Sequence, residues 1–115
     1  MNPIELDGIE PAWTLKEALN LVRRMEDIAI SQNCHVGLMG SVLHKGSSTK
    51  DLDVLLYPHN TEEPFDVEAI LRSFAPLGVF DVLRCSYADR DGKEVYTCRY
   101  GTNEYHVRID FFYLS

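Results

Sequence analysis

Residues 40–53 read GSVLHKGSSTKDLD, and two aspartates one residue apart close this stretch. If the stretch ends in a β-strand, Asp51 and Asp53 point to one face, because side chains alternate along a strand. Their apolar neighbours, Leu52 and Val54, then point into the core. Two carboxylates on one face lie about 6–7 Å apart and repel each other unless a cation lies between them. The pattern therefore predicts a cation-binding position at the start of a strand.

A third carboxylate, Asp110, lies in a later apolar run, between Ile109 and Phe111. Hard oxygen ligands of this kind suit Mg²⁺ or Mn²⁺, which take one or two carboxylates and complete their shells with water and phosphate. Simpler interpretations also exist. An Asp-x-Asp pair is often a solvated strand face, and Asp110 could pair with Arg108 or Arg99.

Gly40 and Ser41 lie where an apolar strand, residues 35–39, gives way to a short helix. Glycine lets the backbone approach a ligand closely, and the free N–H groups at a helix start suit an anion. The small residues Gly46 to Thr49 then let the chain turn back toward Asp51. This layout is that of a phosphate cradle beside a metal site, although a Gly-Ser pair alone is most often a turn.

The flanking sequence predicts two main helices and five strands. Thr14 and Glu17 form a capping box ahead of apolar residues at helical spacing, which predicts a helix over 14–32, and a second helix is predicted over 65–74. The predicted strands are 35–39, 51–57, 79–88, 93–100 and 104–114. This content predicts an α/β fold of the α+β kind, with both helices on one face of a mixed five-stranded sheet and the other face open.

Asp91-Gly92 predicts a two-residue hairpin turn, which would place Cys85 opposite Cys98. In the register that gathers apolar residues, one face carries Leu83, Cys85, Tyr87, Tyr96, Cys98, Val107, Ile109 and Phe111. The open face then carries Arg84, Ser86, Thr97, Arg99, His106, Arg108 and Asp110. A slip of the last strand by one residue would mix these two sets.

The chain has 115 residues, a length typical of one domain, so a single domain is predicted over 1–115 with 1–12 as an irregular lead-in. The formal net charge of −7 argues against a general nucleic-acid binder. The three cysteines lack the spacing of a zinc site. No apolar stretch approaches the length of a membrane helix, so we expect a cytoplasmic protein without membrane contact.

The order Gly40-Ser41, nine residues, then Asp51-Leu52-Asp53-Val54, resembles the signature hG[GS]x(9–13)Dh[DE]h of the DNA polymerase beta-like nucleotidyltransferase superfamily. Met39 fills the apolar position before the glycine. The resemblance covers residues 39–54 and the strand around Asp110. Since the chain ends five residues after Asp110, it is most similar to the minimal nucleotidyltransferases, small standalone domains of which some act with a toxin partner.

The resemblance implies a fold of helices packed on a mixed sheet, and two Mg²⁺ ions bound by Asp51 and Asp53, with Asp110 on the catalytic ion. It also implies that a nucleoside triphosphate is the substrate and that Gly40 and Ser41 hold its terminal phosphates. The leaving pyrophosphate could be neutralised by Lys45, Arg99 or Arg108. The predicted nucleotide-binding residues are Gly40, Ser41, Lys45, Ser47 and Arg108.

Two functional hypotheses follow. The first is an enzyme that moves a nucleoside monophosphate from the triphosphate to an acceptor hydroxyl, with Asp110 as general base. The alternative is a catalytically weak binding module or antitoxin-like partner protein that keeps the fold. We expect weak base selectivity and a macromolecular acceptor, a protein or an RNA end, that docks on the open face near Arg84, Arg99 and Arg108.

Overall fold

The computed structural model describes residues 13–48, 51–88 and 94–113. The helices are α1 (Leu15–Ala29), α2 (Gly40–Lys45) and α3 (Val67–Ser73). The strands are β1 (Trp13–Thr14), β2 (Cys34–Met39), β3 (Ser47–Ser48), β4 (Leu52–Pro58), β5 (Val79–Ala88), β6 (Glu94–Gly101) and β7 (His106–Tyr113). The two predicted main helices and the five predicted strands are therefore confirmed, with ends shifted by a few residues.

The main sheet has the strand order β2-β4-β7-β6-β5. The central pair, β4 and β7, is parallel, and the other three pairs are antiparallel. Helices α1 and α3 pack against one face of this sheet and against each other. The predicted mixed sheet with helices on one face is confirmed.

Helix α1 begins as its sequence predicts. The Glu17 backbone N–H donates to the Thr14 hydroxyl at 3.3 Å, and that hydroxyl donates to the Glu17 carboxylate at 3.1 Å. Because these contacts satisfy one of the free N–H groups at the helix start, they fix where the helix begins. A 3₁₀ turn, Ile30–Gln32, follows the helix, and Asn33 in the left-handed conformation (φ 61°) ends it.

A second, two-stranded sheet was not predicted. Strand β1 pairs with β3, Trp13 with Ser48 and Thr14 with Ser47. The Leu15 N–H also donates to the Gly46 carbonyl at 2.8 Å. These bonds tie the turn that follows α2, from Gly46 to Ser48, to the start of α1.

The register of the last strand agrees with the apolar pattern. Thr97 is the partner of Asp110 and Arg99 is the partner of Arg108, and all four positions face the open side. The intervening residues Tyr96, Cys98, Ile109 and Phe111 are buried against the helices. The slip that would have mixed the two faces does not occur.

The prediction for the β5–β6 hairpin was wrong. Phe80 pairs with Arg99 and Leu83 pairs with Thr97, with an irregularity between them. The extra residue of a β-bulge shifts everything beyond it. Cys98 consequently lies opposite this irregularity and not opposite Cys85. The predicted Asp91-Gly92 turn lies outside the described residues.

One face assignment on β5 changes with that register. Leu83 is the partner of Thr97 and is 65% exposed, so it belongs to the open face and not to the core. Arg84 is the partner of Tyr96, which is buried. The side chain of Arg84 lies outside the described part of the structure, so its expected grouping with Arg99 and Arg108 stays a prediction.

No helix in the described parts of the chain combines the length and the apolar character that a membrane span requires.

Candidate active site

Three carboxylates meet on the open face of the sheet. Asp53 is the register partner of Asp110 across the parallel β4–β7 pair. Asp51 lies one residue before β4, and its carboxylate is 3.7 Å from Nε of Arg108. The same Nε lies 2.8 Å from the Asp110 carboxylate. Residues that are distant in sequence are thus gathered around one guanidinium.

The local sequence explains why these acids face outward. Leu52 and Val54 are fully buried, which forces the alternate positions to the opposite side of β4. Ile109 and Phe111 are also fully buried and do the same for Asp110 on β7. The predicted orientation of Asp51, Asp53 and Asp110 is what the strand geometry produces.

Asp110 is held by two neighbours. Arg108 donates to both of its carboxylate oxygens, from Nε at 2.8 Å and from Nη2 at 3.0 Å. The Thr97 hydroxyl donates to Oδ1 at 2.9 Å. Asp110 is only 6% exposed, and these charge-assisted bonds compensate for its burial. The sequence left open whether Asp110 pairs with Arg108 or with Arg99. In the structure Arg108 is the partner of Asp110, whereas Arg99 pairs with Asp81 at 3.2 Å.

Asp53 has the least favourable electrostatic environment of the three. Burial raises the pKa of its carboxyl, and the negative charges of Asp110 and Asp51 raise that pKa further. The nearby Arg108 guanidinium lowers the pKa in part. A cation at this position would relieve the repulsion that these charges create.

Gly40 lies directly against Asp53. Its φ is +74°, and a Cβ at this position would come within 2.2 Å of Oδ2 of Asp53. Met39, the residue before it, is the β2 partner of Asp53. Both the backbone conformation and the space therefore require glycine here. The close approach of the Asp53 carboxylate is a reason for this glycine that the sequence pattern did not reveal.

The other predicted nucleotide-binding residues lie along the segment after Gly40. Ser41 is in α2, Lys45 is exposed at the end of α2, and Ser47 pairs with Thr14 in the small sheet. The described contacts of the three acids include neither Lys45 nor Ser47. The structure thus brings together Gly40, Asp51, Asp53, Arg108 and Asp110.

The donor chemistry suits a hard divalent cation. Three carboxylates converge, and burial together with the negative charges of Asp110 and Asp51 raises the pKa of Asp53. Within the described residues, no set of three His, Cys, Asp or Glu side chains is arranged to hold a metal ion as it stands. Arg108 provides the positive charge between Asp51 and Asp110 in this arrangement. The residues fit Mg²⁺ or Mn²⁺ in type and in charge.

Thr97 is the site residue to which sequence reasoning gave no role. It was placed on the open face, but its bond to Asp110 follows from their pairing across β6 and β7. Cross-strand partners on one face lie about 4.5–5.5 Å apart at Cβ. A polar residue directly opposite a catalytic candidate was the signal that could have identified it.

The fold is similar to that of several solved polymerases. The noncanonical poly(A) polymerase complex GLD-2–GLD-3 matches 98% of this chain and 40% of its own, with a TM-score of 0.63 and 11% identity. The Cid1 poly(U) polymerase matches 86% of this chain and 30% of its own, with a TM-score of 0.57 and 12% identity. Polymerase beta of Leishmania infantum matches 88% and 37%, with a TM-score of 0.59 and 10% identity.

No protein-family model matches the sequence, and a search of curated proteins finds no match. The chain spans 30 to 40% of the length of the three polymerase chains described above. At identities of 10 to 12% the likeness concerns the course of the backbone and not the substrate. The chain has the fold of the DNA polymerase beta-like nucleotidyltransferases.

Proposed function

We propose that this chain is a metal-dependent nucleotidyltransferase. It moves a nucleoside monophosphate from a nucleoside triphosphate, such as ATP, to an acceptor hydroxyl and releases pyrophosphate. The observation that carries the proposal is the convergence of Asp51, Asp53 and Asp110 on the open face, directly beside Gly40. Acids held together in spite of their repulsion are typical of a site that binds a cation.

Asp51, Asp53 and Asp110 are the residues that would hold Mg²⁺ or Mn²⁺. Bound divalent ions supply positive charge against the charge that develops at the α-phosphate during in-line displacement. The raised pKa of Asp53 supports this assignment, because a cation would offset both its burial and the negative charges of Asp110 and Asp51.

Backbone and basic groups beside the acids would hold the phosphates. Gly40 begins α2, and the residue before it, Met39, makes no side-chain capping bond, so the N–H groups of Gly40 and Ser41 would be the donors to a phosphate. Lys45 ends α2, and Ser47 lies in the turn that is tied to the start of α1. The Arg108 side chain is 48% exposed, so its guanidinium can face a phosphate on the open side while it remains beside Asp110.

Asp110 is the general base of the proposed reaction. Its carboxylate accepts the proton of the acceptor hydroxyl, and the hydroxyl oxygen forms a bond to the α-phosphorus. The bond from that phosphorus to the bridging oxygen breaks, and pyrophosphate leaves with the electron pair. Thr97 and Arg108 fix the orientation of the carboxylate during this step.

The acceptor is a macromolecule, a protein or an RNA end, that docks on the open face beside Arg99 and Arg108. The fold neighbours support this choice. One is a cytoplasmic RNA terminal U-transferase, and another is GLD-2 in complex with RNP-8. Since the GLD-2 structures are complexes with the proteins RNP-8 and GLD-3, a protein partner also fits this chain. The resemblance to the minimal nucleotidyltransferases adds a toxin-like protein to the candidate partners, and the cytoplasm is the expected compartment.

A binding module that has lost catalysis is the second candidate. Two observations favour it: Arg108 already neutralises Asp110, and the described residues contain no ready-made three-ligand metal site. In this reading the open face binds a protein partner and the acids serve only to place Arg108.

Transfer of label distinguishes the two candidates. The protein is incubated with Mg²⁺ and each α-labelled triphosphate in a cell lysate, as wild type and as Asp110→Ala. Asp81→Ala is the matched control, since it also removes an acid that pairs with an arginine of the open face. The enzyme predicts label on one protein or RNA band, retained in Asp81→Ala and lost in Asp110→Ala. No transfer from any of the nucleotides, with a partner retained by both wild type and Asp110→Ala, contradicts the enzyme.

A further inference from the structure

Two histidine rings meet at the end of the β2–β4 pair that is remote from the acids. His35 Nε2 lies 2.8 Å from His59 Nδ1, and the ring centroids are 4.9 Å apart. His59 follows the end of β4, six residues after Asp53, which is about 20 Å along a strand. This pair is therefore separate from the candidate active site.

Glu26 of α1 contacts the ring nitrogen of His35 that faces away from His59. Its Oε1 accepts a hydrogen bond from Nδ1–H of His35, and its Oε2 accepts from the Val36 backbone N–H at 3.0 Å. Because Nδ1 is engaged by the carboxylate, Nε2 is the nitrogen that faces His59. In metal sites, a carboxylate often accepts a hydrogen bond from the ring nitrogen that does not bind the metal. This bond orients the histidine and increases its basicity.

Asn33 holds the second histidine. Its side-chain amide donates to the carbonyls of Asn60 and Glu63 at 3.0 and 2.9 Å, and its Oδ1 accepts from the Asn60 N–H at 2.8 Å. The backbone N–H of His59 donates to the backbone carbonyl of Asn33 at 3.1 Å. The segment that carries His59 is thus fixed beside His35.

We propose that His35 and His59 bind a divalent transition-metal ion, with Zn²⁺ as the probe, and that Glu26 positions His35 for this role. Imidazole nitrogens suit zinc and its neighbours, whereas magnesium prefers carboxylate and water oxygen. Zinc–nitrogen distances of about 2.0–2.1 Å at a tetrahedral angle place two nitrogens about 3.3 Å apart. The rings need to separate by about half an ångström, which the exposed His59 allows.

The remaining coordination positions belong to solvent. Cys34 is adjacent in sequence but does not contribute, since it is fully buried on the opposite side of β2 and its Sγ donates to the His35 carbonyl at 3.3 Å. Tyr57 lies against the His35 ring, with centroids 5.2 Å apart. A bound ion would therefore fasten the segment from His59 to Glu63 onto β2, which stabilises the folded chain.

Zinc titration of the whole chain tests this site. Calorimetry with Zn²⁺ alone compares wild type, His59→Gln and the control His106→Gln, which removes another exposed imidazole, at the start of the central strand β7. We expect loss of the zinc-binding event in His59→Gln and no change in His106→Gln. Glu26→Gln should bind about 10- to 100-fold more weakly, because an amide cannot accept from both His35 and the Val36 N–H.

Ring proton signals in NMR spectra identify where the ion binds. Zn²⁺ should shift the signals of His35 and His59, leave those of His106 unmoved, and do so equally in Asp53→Asn, where the acid site is impaired. Mg²⁺ should leave both signals unmoved. Unshifted His35 and His59 signals, or a His59→Gln variant that binds zinc as tightly as wild type, would overturn the proposal. So would shifts that disappear in Asp53→Asn.

Discussion

The two ends of the β2–β4 strand pair differ in whether their polar groups have complementary partners. At one end, Asp51, Asp53 and Asp110 place like charges side by side around Arg108. At the other end, the carboxylate, imidazole and amide groups of Glu26, His35 and Asn33 each have partners of complementary character. One end is electrostatically incomplete and the other is internally satisfied.

The difference indicates what each end contributes. Burial and the negative charges of Asp110 and Asp51 raise the pKa of Asp53 and do not stabilise the free protein, so this arrangement points to a cation or a substrate that completes the site. The satisfied bonds of the histidine end stabilise the fold by themselves, and an ion there would add to that stability. Removing the charge of Asp53 should therefore stabilise the folded protein, whereas removing the side chain of Asn33 should destabilise it.

The largest effect is expected from Gly40→Ala. The new Cβ would meet Oδ2 and Cβ of Asp53 at 2.2 and 2.9 Å, in addition to the strain of φ +74°. Left-handed strain costs about 1–2 kcal/mol and overpacking about 1–3 kcal/mol, so unfolding should become about 2–5 kcal/mol easier. Urea denaturation measures this loss.

Gly46→Ala is the matched control. Its φ is +81°, but a Cβ there meets nothing within 4 Å, so only the backbone strain of about 1–2 kcal/mol should be lost. The difference between the two variants isolates the contact with Asp53. Equal losses of stability in both would show that the acid does not press on Gly40.

The next effect is expected from Asn33→Gly at the histidine end. Glycine keeps the left-handed conformation at φ 61°, so the change removes the side-chain bonds to Asn60 and Glu63 without adding backbone strain. Three bonds of about 0.5–1.5 kcal/mol each, some of them exposed, suggest a loss of about 1–3 kcal/mol. Hydrogen exchange should also increase at His59 and Asn60. Unchanged exchange there would show that Asn33 does not hold the segment.

Asp53→Asn should have a smaller effect on the free energy of unfolding. Unlike Gly40→Ala and Asn33→Gly, it should stabilise the protein. The folded state raises the pKa of this carboxyl, by burial first and then by Asp110 and Asp51, so the folded state binds its proton more tightly than the unfolded state. Wild-type stability therefore falls as pH rises from the unfolded value of about 3.9 through the folded pKa. The amide lacks this penalty and should stabilise the protein at pH 7 by about 0.2–1 kcal/mol, as for like charges on neighbouring strands.

The measurement is thermal unfolding in EDTA at pH 7 and at pH 3, where the difference between the proteins should vanish. Asp27→Asn removes the same charge from an exposed position of α1 and controls for the net charge of −7. Destabilisation by Asp53→Asn at pH 7 would contradict the electrostatic description of the acid end.

The smallest effect concerns two buried thiols. Cys34 lies near the histidine end of the strand pair, and Cys98 lies near the acid end. Burial raises the pKa of Cys34 to about 11, and burial together with Asp110 raises that of Cys98 to about 12. Since the thiolate is the reactive form, native protein at pH 8 should not be alkylated at either residue by iodoacetamide. Mass spectrometry should find both modified after unfolding in guanidinium. Rapid modification of Cys98 in the native state would mean that the core face of β6 is open.

The side of the sheet on which the three acids lie could largely be predicted, because the alternation of side chains along a strand depends only on local backbone geometry. The apolar residues Leu52 and Val54 determine which way Asp51 and Asp53 point, and the flanks of Asp110 do the same on β7. The mixed sheet followed from the same patterns and from the short apolar strands. The parallel register that places Asp53 beside Asp110 agrees with the resemblance to the nucleotidyltransferases.

The remainder depends on contacts that no local pattern contains. Asp81, with φ 53°, lies in the irregular part of β5, where the register shifts and Leu83 turns to the open face. A turn dipeptide alone could not reveal that shift. The Glu26–His35–His59 chain joins a helix, a strand and a loop, so its members are far apart in sequence and show no spacing signal.

Calorimetry of a non-hydrolysable triphosphate tests the central claim, that Asp51 and Asp53 form a metal-dependent nucleotide site. Wild type, Asp51→Asn, Asp53→Asn and the control Asp81→Asn are each titrated with and without Mg²⁺. The proposed site predicts binding to wild type and Asp81→Asn only when Mg²⁺ is present, and loss of most of that affinity in the other two variants. Magnesium-dependent binding that is unchanged in both Asp51→Asn and Asp53→Asn would contradict it.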